Sequence, residues 1–402
     1  MDLSKKIKEL SKHYFSEILE IRRHLHQNPE LSFQEIETSL YIQQQLSKAG
    51  ISFTTGYVKT GIVALIKGKN PDKKTILIRA DMDALPIQEK NNVSYKSSNK
   101  GVMHACGHDA HSAIALGTTF VLNELKNEFE GTVKIMFQPG EEVLPGGASL
   151  MIDAGVLQNP KVDKAIALHV FPSMIAGKVG FKSGMYMAST DELFLTVNGK
   201  GGHAAMPNDY INPLIISSEI LLEINKCFML PNSLIGTKGE SIPTVVAFGK
   251  IEGNGATNII PEKVEIAGTI RTMDESWREN VHEQLQLIVK NISEKYNITP
   301  VLQIKKGYPV LVNDIEFTDN CFLDAQNFLG KENVEHLPIR MTAEDFSFIS
   351  QKVPSCFFRL GTGNTEKGIV SGVHTSTFDI DEDALLTGVS LMTHLTISEL
   401  AR

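Results

Sequence analysis

Eight consecutive residues, HACGHDAH at positions 104–111, hold three histidines, a cysteine and an aspartate. Such a set can bind a transition metal, or it can arm Cys106 as a nucleophile through His104 or His108. It can also do neither, with His108 or His111 simply hydrogen-bonding the start of a helix. Cys106 and His108 are two positions apart, and on a helix their side chains would diverge by about 200°, too far to share an ion. In a loop they can meet. The stretch that follows, DAHSAIALGTTFVLNEL, has helical character with Asp109 as the expected N-cap, so both residues are expected just ahead of that helix.

The segment FQPGEE ends an apolar run at Pro139 and Gly140, then presents Glu141 and Glu142 in succession. Adjacent carboxylates in a loop point different ways. One can therefore ligate metal while the other carries protons, the division of labour that metal-assisted hydrolysis requires. A solvated surface pair is the plainer alternative. His169 closes the apolar run AIALHV, and His374 lies in the polar stretch SGVHTSTFD; each alone is compatible with a hydrogen-bonded structural histidine. Together, Cys106, His108, Glu142, His169 and His374 make five ligands of the kinds that Zn, Mn, Co and Ni accept. Five exceed the needs of one tetrahedral ion, so two divalent ions are expected, with the Cys106 thiolate suited to bridging them.

Alternating strand and helix patterns surround these residues. Apolar residues at helical spacing predict helices over 5–27 and 34–49, separated by NPELS. IVALIKG (62–68) and TILIRADMDALP (75–86) read as buried strands, the second delivering Asp81 and Asp83 at its end. GTVKIMFQPGEE and KAIALHV add further strands. The alternation predicts an α/β layered core, in which ligands sit beyond the carboxyl ends of the strands, and the polar motifs fall there. From residue 188 the pattern changes to β-α-β-β-α, similar to a ferredoxin-like arrangement. The expected organisation is a main domain begun by residues 1–187, an inserted α+β domain at 188–300, and residues 301–402, opening with a strand, completing the main domain.

A chain of 402 residues exceeds the size at which a single core stops growing, which agrees with two domains. The net charge of -8 argues against a general basic face, so nucleic acid is not an expected partner. Apolar runs are strand-length, short of the roughly 20 residues that span a bilayer. The opening MDLSKKIKELSKHYF interleaves charges with apolar residues and lacks the apolar block of a secretion signal. A cytoplasmic protein with no membrane partner is expected, and four dispersed cysteines fit reduced thiols.

RRHLHQNPELSF, RADMDALPI, HACGHDAH, FQPGEE, LHV, GKGGHAAMP, TNIIPE, TIRT, MTAEDFSF and GVHTSTFD occur in that order over nearly the whole chain. In that order they resemble the amidohydrolase branch of the aminoacylase and carboxypeptidase family of binuclear metallopeptidases. That branch includes hippurate hydrolases, indole-acetyl-amino-acid hydrolases and N-acyl-amino-acid amidohydrolases. The resemblance implies a zinc-peptidase-like layered catalytic domain with an inserted ferredoxin-like dimerisation (lid) domain, and a homodimer or higher homo-oligomer. It implies that Cys106, His108, Glu142, His169 and His374 hold two metals, that Glu141 is the general base, and that Asp83 supports the centre from behind the ligands. By the same resemblance, His203 reaches the active site of the partner subunit, and Asn258 and Arg271 lie close to substrate. Read without it, Asp83 orders a tight loop, Asn258 a turn, and Arg271 is a solvated strand residue. The implied reaction is metal-dependent hydrolysis of the amide bond of an N-acyl-L-amino acid, releasing a carboxylic acid and a free amino acid. A dipeptidase or small-peptide peptidase is the alternative on the same site, and a non-catalytic metal-binding scaffold is a further one.

Overall fold

The computed structural model describes residues 3–228 and 242–402. Residues 1–2, which open the expected main domain, and 229–241, within the expected insertion, lie outside the described residues. The chain divides into two compact units, Met1–Gly184 with Val312–Pro338 and Asp345–Arg402, and Met185–Leu311 with Ile339–Glu344. Each has its own apolar core.

The first unit begins with α1 (Leu3–Gln27) and α2 (Ile36–Lys48), followed by β1 (Phe53–Tyr57), β2 (Gly61–Lys67), β3 (Thr75–Asp81), α3 (His108–Glu124), β4 (Thr132–Gln138), β5 (Lys164–Ile175) and β6 (Val179–Phe181). With Val334–His336 and Ser355–Gly363 the strands form an eight-stranded sheet in the order β1, β2, β4, β3, β5, Ser355–Gly363, β6, Val334–His336. Its centre is parallel: β4, β3, β5 and Ser355–Gly363 all run the same way. Parallel strands are covered on both faces, and accordingly every residue of β3 and β4 is buried. Burying an Ile or Leu side chain stabilises by about 1.5–3 kcal/mol, so the apolar run of β3 is a strong reason for it to lie at the centre. Arg79 interrupts that run and cannot be buried without counter-charges.

Helix α3 is buried from His108 through Leu122, between the sheet and its helical neighbours. Helix α1 approaches it so closely that a Cβ on Gly117 would stand 2.6 Å from Ile18 Cδ1. The last helix, Ala384–Ala401, is long and apolar enough to cross a membrane by length and composition, yet 72% of it is buried inside the protein. Its Leu385, Val389 and Leu395 belong to the first core.

Two expectations are corrected. Asp109 is not the N-cap of α3, whose cap position falls two residues earlier at Gly107, a left-handed residue with φ 88°, so that His108 is the first helical residue. The Asp109 carboxylate instead accepts from the fully buried Arg22 of α1 at 2.8 Å and stands 2.8 Å from His26 Nδ1. Arg22 also pairs with Asp379 at 2.7 Å and Glu382 at 3.2 Å, and Asp109 is the fully buried member of that set. The strand at Val301–Lys306, expected to rejoin the main domain, pairs with Asp191–Asn198 in the second unit. There it completes a four-stranded antiparallel sheet ordered Thr244–Glu252, Lys263–Thr272, Asp191–Asn198, Val301–Lys306. Helices Pro213–Phe228 and Glu275–Tyr296 pack on it, giving the full β-α-β-β-α-β ferredoxin-like sequence.

Candidate metal centre

Loops at the carboxyl ends of the parallel strands bring the expected donors together. Gly107 resolves the spacing problem of Cys106 and His108. Its left-handed backbone turns the chain between them, and a side chain there would drive a Cβ to 2.5 Å from Val170 Cγ2. His169 lies within β5, which runs on to Ile175 beyond the expected strand end. Cys106 Sγ lies 3.4 Å from His169 Nε2 and 3.3 Å from His374 Nε2. Glu142 Oε1 is 3.2 Å from His374 Nε2 and 3.9 Å from His108 Nε2. Glu141 joins His108 and Glu142 in a group whose donor atoms all lie within 4.8 Å of one another. His374 is half exposed and marks the open side of an otherwise buried cluster. Its backbone N–H, donated to Ala105 O at 2.7 Å, ties the late loop to the Cys106 loop.

The His169 and His108 rings are each turned by a partner on the far nitrogen. His169 Nδ1 donates to Val170 O at 2.8 Å, and His108 Nδ1 is 3.1 Å from Asp83 Oδ1. The other Asp83 oxygen accepts from the backbone N–H of Glu142 at 3.0 Å and the Ser32 hydroxyl at 2.7 Å. Asp83 thus braces two donors from separate stretches of chain.

The residues fit a metal centre. His108 Nε2 and Glu142 Oε1 are buried with no hydrogen-bond partner, and a cation between thiol, imidazole and carboxylate would satisfy both. The cluster is also short of positive charge. The neighbouring Cys106 and Glu142 side chains push His374 up to about 10. Burial opposes protonation of His108, yet Asp81, Cys106 and Asp83 outweigh it and raise its pKa well above the ordinary value. Burial raises the Cys106 thiol, and Glu142 adds to the rise. That is the reverse of what an unassisted thiolate nucleophile requires.

Sequence reasoning left Asp81, His111, Arg79 and Asp345 without roles. His111 Nδ1 is 2.6 Å from Asp81 Oδ1, and its Nε2 accepts from Val170 N at 3.0 Å. That pairing puts the ring proton on Nδ1 and fixes the backbone beside His169. Arg79 donates to Asp81, Gln138 and Asp345. Asp345 in turn accepts from Ala148 N at 3.0 Å, while its own N–H reaches Glu141 Oε1 at 3.4 Å. A lone arginine in the buried run TILIRAD was the available signal, because it demands acidic partners.

His203, Asn258 and Arg271 belong to the second unit. His203 is exposed on a two-stranded ribbon, Gly202–His203 against Ile259–Ile260, and Ala204 N donates to Asn258 O at 3.0 Å. The ribbon therefore brings His203 and Asn258 to one tip. Because His203 Nδ1 accepts from Ala205 N at 3.1 Å, its proton sits on Nε2, free to donate outward. Arg271 is on Lys263–Thr272, paired opposite Val245, and is half-buried with Nη1 on Ile270 O and Thr269 Oγ1.

Residues 77–398 match peptidase family M20/M25/M40. The chain is 38% identical over 395 residues to thermostable carboxypeptidase 2 of Saccharolobus solfataricus, covering 96% of each protein. It is 36% identical over 308 residues to an N-acyl-L-amino acid amidohydrolase of Geobacillus stearothermophilus, covering 76% of this chain and 80% of that one. Among solved structures it is similar to the YxeP protein of Bacillus subtilis, described as a dinuclear metal binding peptidase from the M20 family. The TM-score is 0.84 at 32% identity, over 97% of this chain and 99% of that one.

Proposed function

Because the chain belongs to peptidase family M20/M25/M40 and is thereby a hydrolase, we propose that it hydrolyses the amide bond of N-acyl-L-amino acids. The products are a carboxylic acid and a free amino acid. The observation that carries this reading is the convergence of Cys106, His108, Glu142, His169 and His374, two of whose buried polar atoms make no hydrogen bond, beside a second carboxylate, Glu141. Those five residues would hold two divalent ions, with Zn, Mn, Co and Ni all compatible. When bound, such ions polarise a carbonyl and bring the pKa of water toward neutrality.

The protein's own groups perform the rest. Glu141, buried and held by the Asp345 N–H, takes the proton of the attacking water and returns it to the departing amine nitrogen. Glu142, braced through its backbone by Asp83, stays a ligand. An N–H donor is needed where negative charge develops on the carbonyl oxygen, and the His203 Nε2–H has the required tautomer. Asn258, at the same ribbon tip, and Arg271 are assigned to substrate contact. The second unit is proposed to join two copies of the chain: Ile215 and Leu222 are about 60% exposed on helix Pro213–Phe228, and Thr244–Glu252 ends its sheet.

The test is a hydrolysis screen of N-acetyl and N-benzoyl amino acids and dipeptides, with each metal added after chelation. Cleavage of N-acyl amino acids that chelator abolishes and divalent ion restores is the expected result. Turnover of peptides alone would select the peptidase reading, which the carboxypeptidase relative favours. Full activity in chelator would refute both.

A further inference from the structure

Glu35 is a carboxylate with no exposed surface, remote in sequence from every residue assigned to the chemistry. It precedes α2 yet caps nothing there with its side chain. Its Oε1 accepts from the backbone N–H of Gly140 at 2.8 Å and of Phe33 at 2.8 Å, and its Oε2 accepts from the Thr60 hydroxyl at 3.1 Å. Gly140 is the residue from which Glu141 and Glu142 depart. It holds a left-handed φ of 62°, and a Cβ there would run into the Phe33 ring, itself carried on a left-handed residue with φ 63°. On the other side, Gly140 O accepts from Gly147 N at 3.0 Å. Residues 33–35 and Gly147 therefore close on one glycine from two sides, and the buried Glu35 carboxylate is the common acceptor of Phe33, Thr60 and Gly140. Burying that carboxylate is costly, and burial, with Asp83 nearby, pushes its pKa up to about 7.

We infer that Glu35 is a positioning residue: through Gly140 it fixes the turn that aims Glu141 at the reacting atoms while Glu142 stays on the metal side. The inference rests on the roles given above to Glu141 and Glu142. Glu142 has a backbone tether of its own, its N–H on Asp83 at 3.0 Å, whereas Glu141 is held through its side chain by the longer contact with Asp345 N at 3.4 Å, so loss of Glu35 falls mainly on Glu141. Hydrogen bonding, and not charge, is the working feature. In Glu35→Gln the amide oxygen can keep both backbone N–H groups, and the Thr60 hydroxyl can turn to accept from the amide NH₂.

The experiment compares Glu35→Gln, Glu35→Ala and Glu35→Asp by steady-state kinetics, metal content and hydrogen exchange of the segment 139–147 in metal-free protein. Glu35→Asp shortens the reach to Gly140 but keeps a side chain favoured at a helix N-cap, so it carries the test if the alanine variant fails to fold. Glu35→Ala and Glu35→Asp should lower kcat by about tenfold to a hundredfold, the scale of a misplacement of roughly 1 Å. KM and metal content should remain near wild type, and exchange across 139–147 should quicken. Glu35→Gln should restore kcat to within about threefold and exchange to the wild-type rate. Unchanged exchange in Glu35→Asp, or a Glu35→Gln enzyme as impaired as the alanine variant, would overturn the inference. Exchange is read without substrate, so a wild-type protein that cleaves no N-acyl amino acid would sink the proposed function and leave this comparison intact.

Discussion

Glu141 and Glu142 are chemically identical and separated by one peptide bond, so only their surroundings can give them different work. Glu142 Oε1 faces His108 and His374, whereas Glu141 Oε1 meets the N–H of Asp345. Glu141→Gln should accordingly keep its metals and lose turnover by about 10²- to 10⁴-fold, the usual worth of a positioned proton carrier. Glu142→Gln should lose metal first, as titration against a chelator with metal analysis will read. A drop of less than about tenfold in kcat for Glu141→Gln would remove it from the proton-carrying role. Asp83→Asn, which weakens the brace behind His108 and Glu142, should cost about 10- to 100-fold in metal affinity in the same titration. The five donors were legible in the sequence because cysteine, histidine and glutamate are unusual at the ends of apolar strands. Asp81 and His111 were not. Arg79 precedes Asp81 by two residues on β3 itself, but the partner of His111 Nε2, Val170 N, comes from β5, and no local spacing announces a side chain that serves another residue's backbone.

At the scale of elements, the second unit hangs on a buried ionic junction between strand Asp191–Asn198 and helix Glu275–Tyr296. Burial would raise the Asp191 carboxyl, but His282 and Arg278, with the Gly307 N–H, hold it down at about 2. A carboxyl depressed from an unfolded value of 3.8 lends its stability above about pH 4, and that stability is lost as pH falls through about 2. Thermal unfolding of wild type between pH 4 and 2 should show this acid limb, and Asp191→Asn should lack it. The variant should also be less stable at neutral pH by on the order of 3 kcal/mol, because Arg278 loses a buried partner. A neutral-pH melting curve indistinguishable from wild type would remove the junction as a stabilising feature. The same strand shows where pattern reading stopped. Its alternation of buried and exposed residues was visible, and so was the helical period of α3. Invisible were the start of α3, where Gly107 and not Asp109 ends the loop, and the allegiance of Val301–Lys306. A strand's sheet is decided by its pairing partner, and this one's partner lies a hundred residues upstream.

For the whole molecule, the proposed loan of His203 between copies makes a quantitative demand. Glu141→Gln and His203→Ala proteins, each inactive, should regain activity when their subunits are exchanged, because a mixed dimer contains one site with both groups intact. Random exchange yields about half mixed dimers with one working site in two, so recovery should approach about a quarter of wild type. Confirmed mixed dimers with no recovery would mean that His203 serves its own subunit or none. The sheet order of the first unit sets another constraint, on the timing of birth. Strand Ser355–Gly363 lies between β5 and β6, although both of those are made long before it. A ribosome adding about 5–20 residues per second needs roughly 10–40 s to pass from the end of β5 to the end of that strand. Throughout that interval β5 presents an open apolar edge, and His374, the last donor, has yet to be translated. A nascent chain stalled before residue 355 should therefore be a client of chaperones and unable to retain its ions.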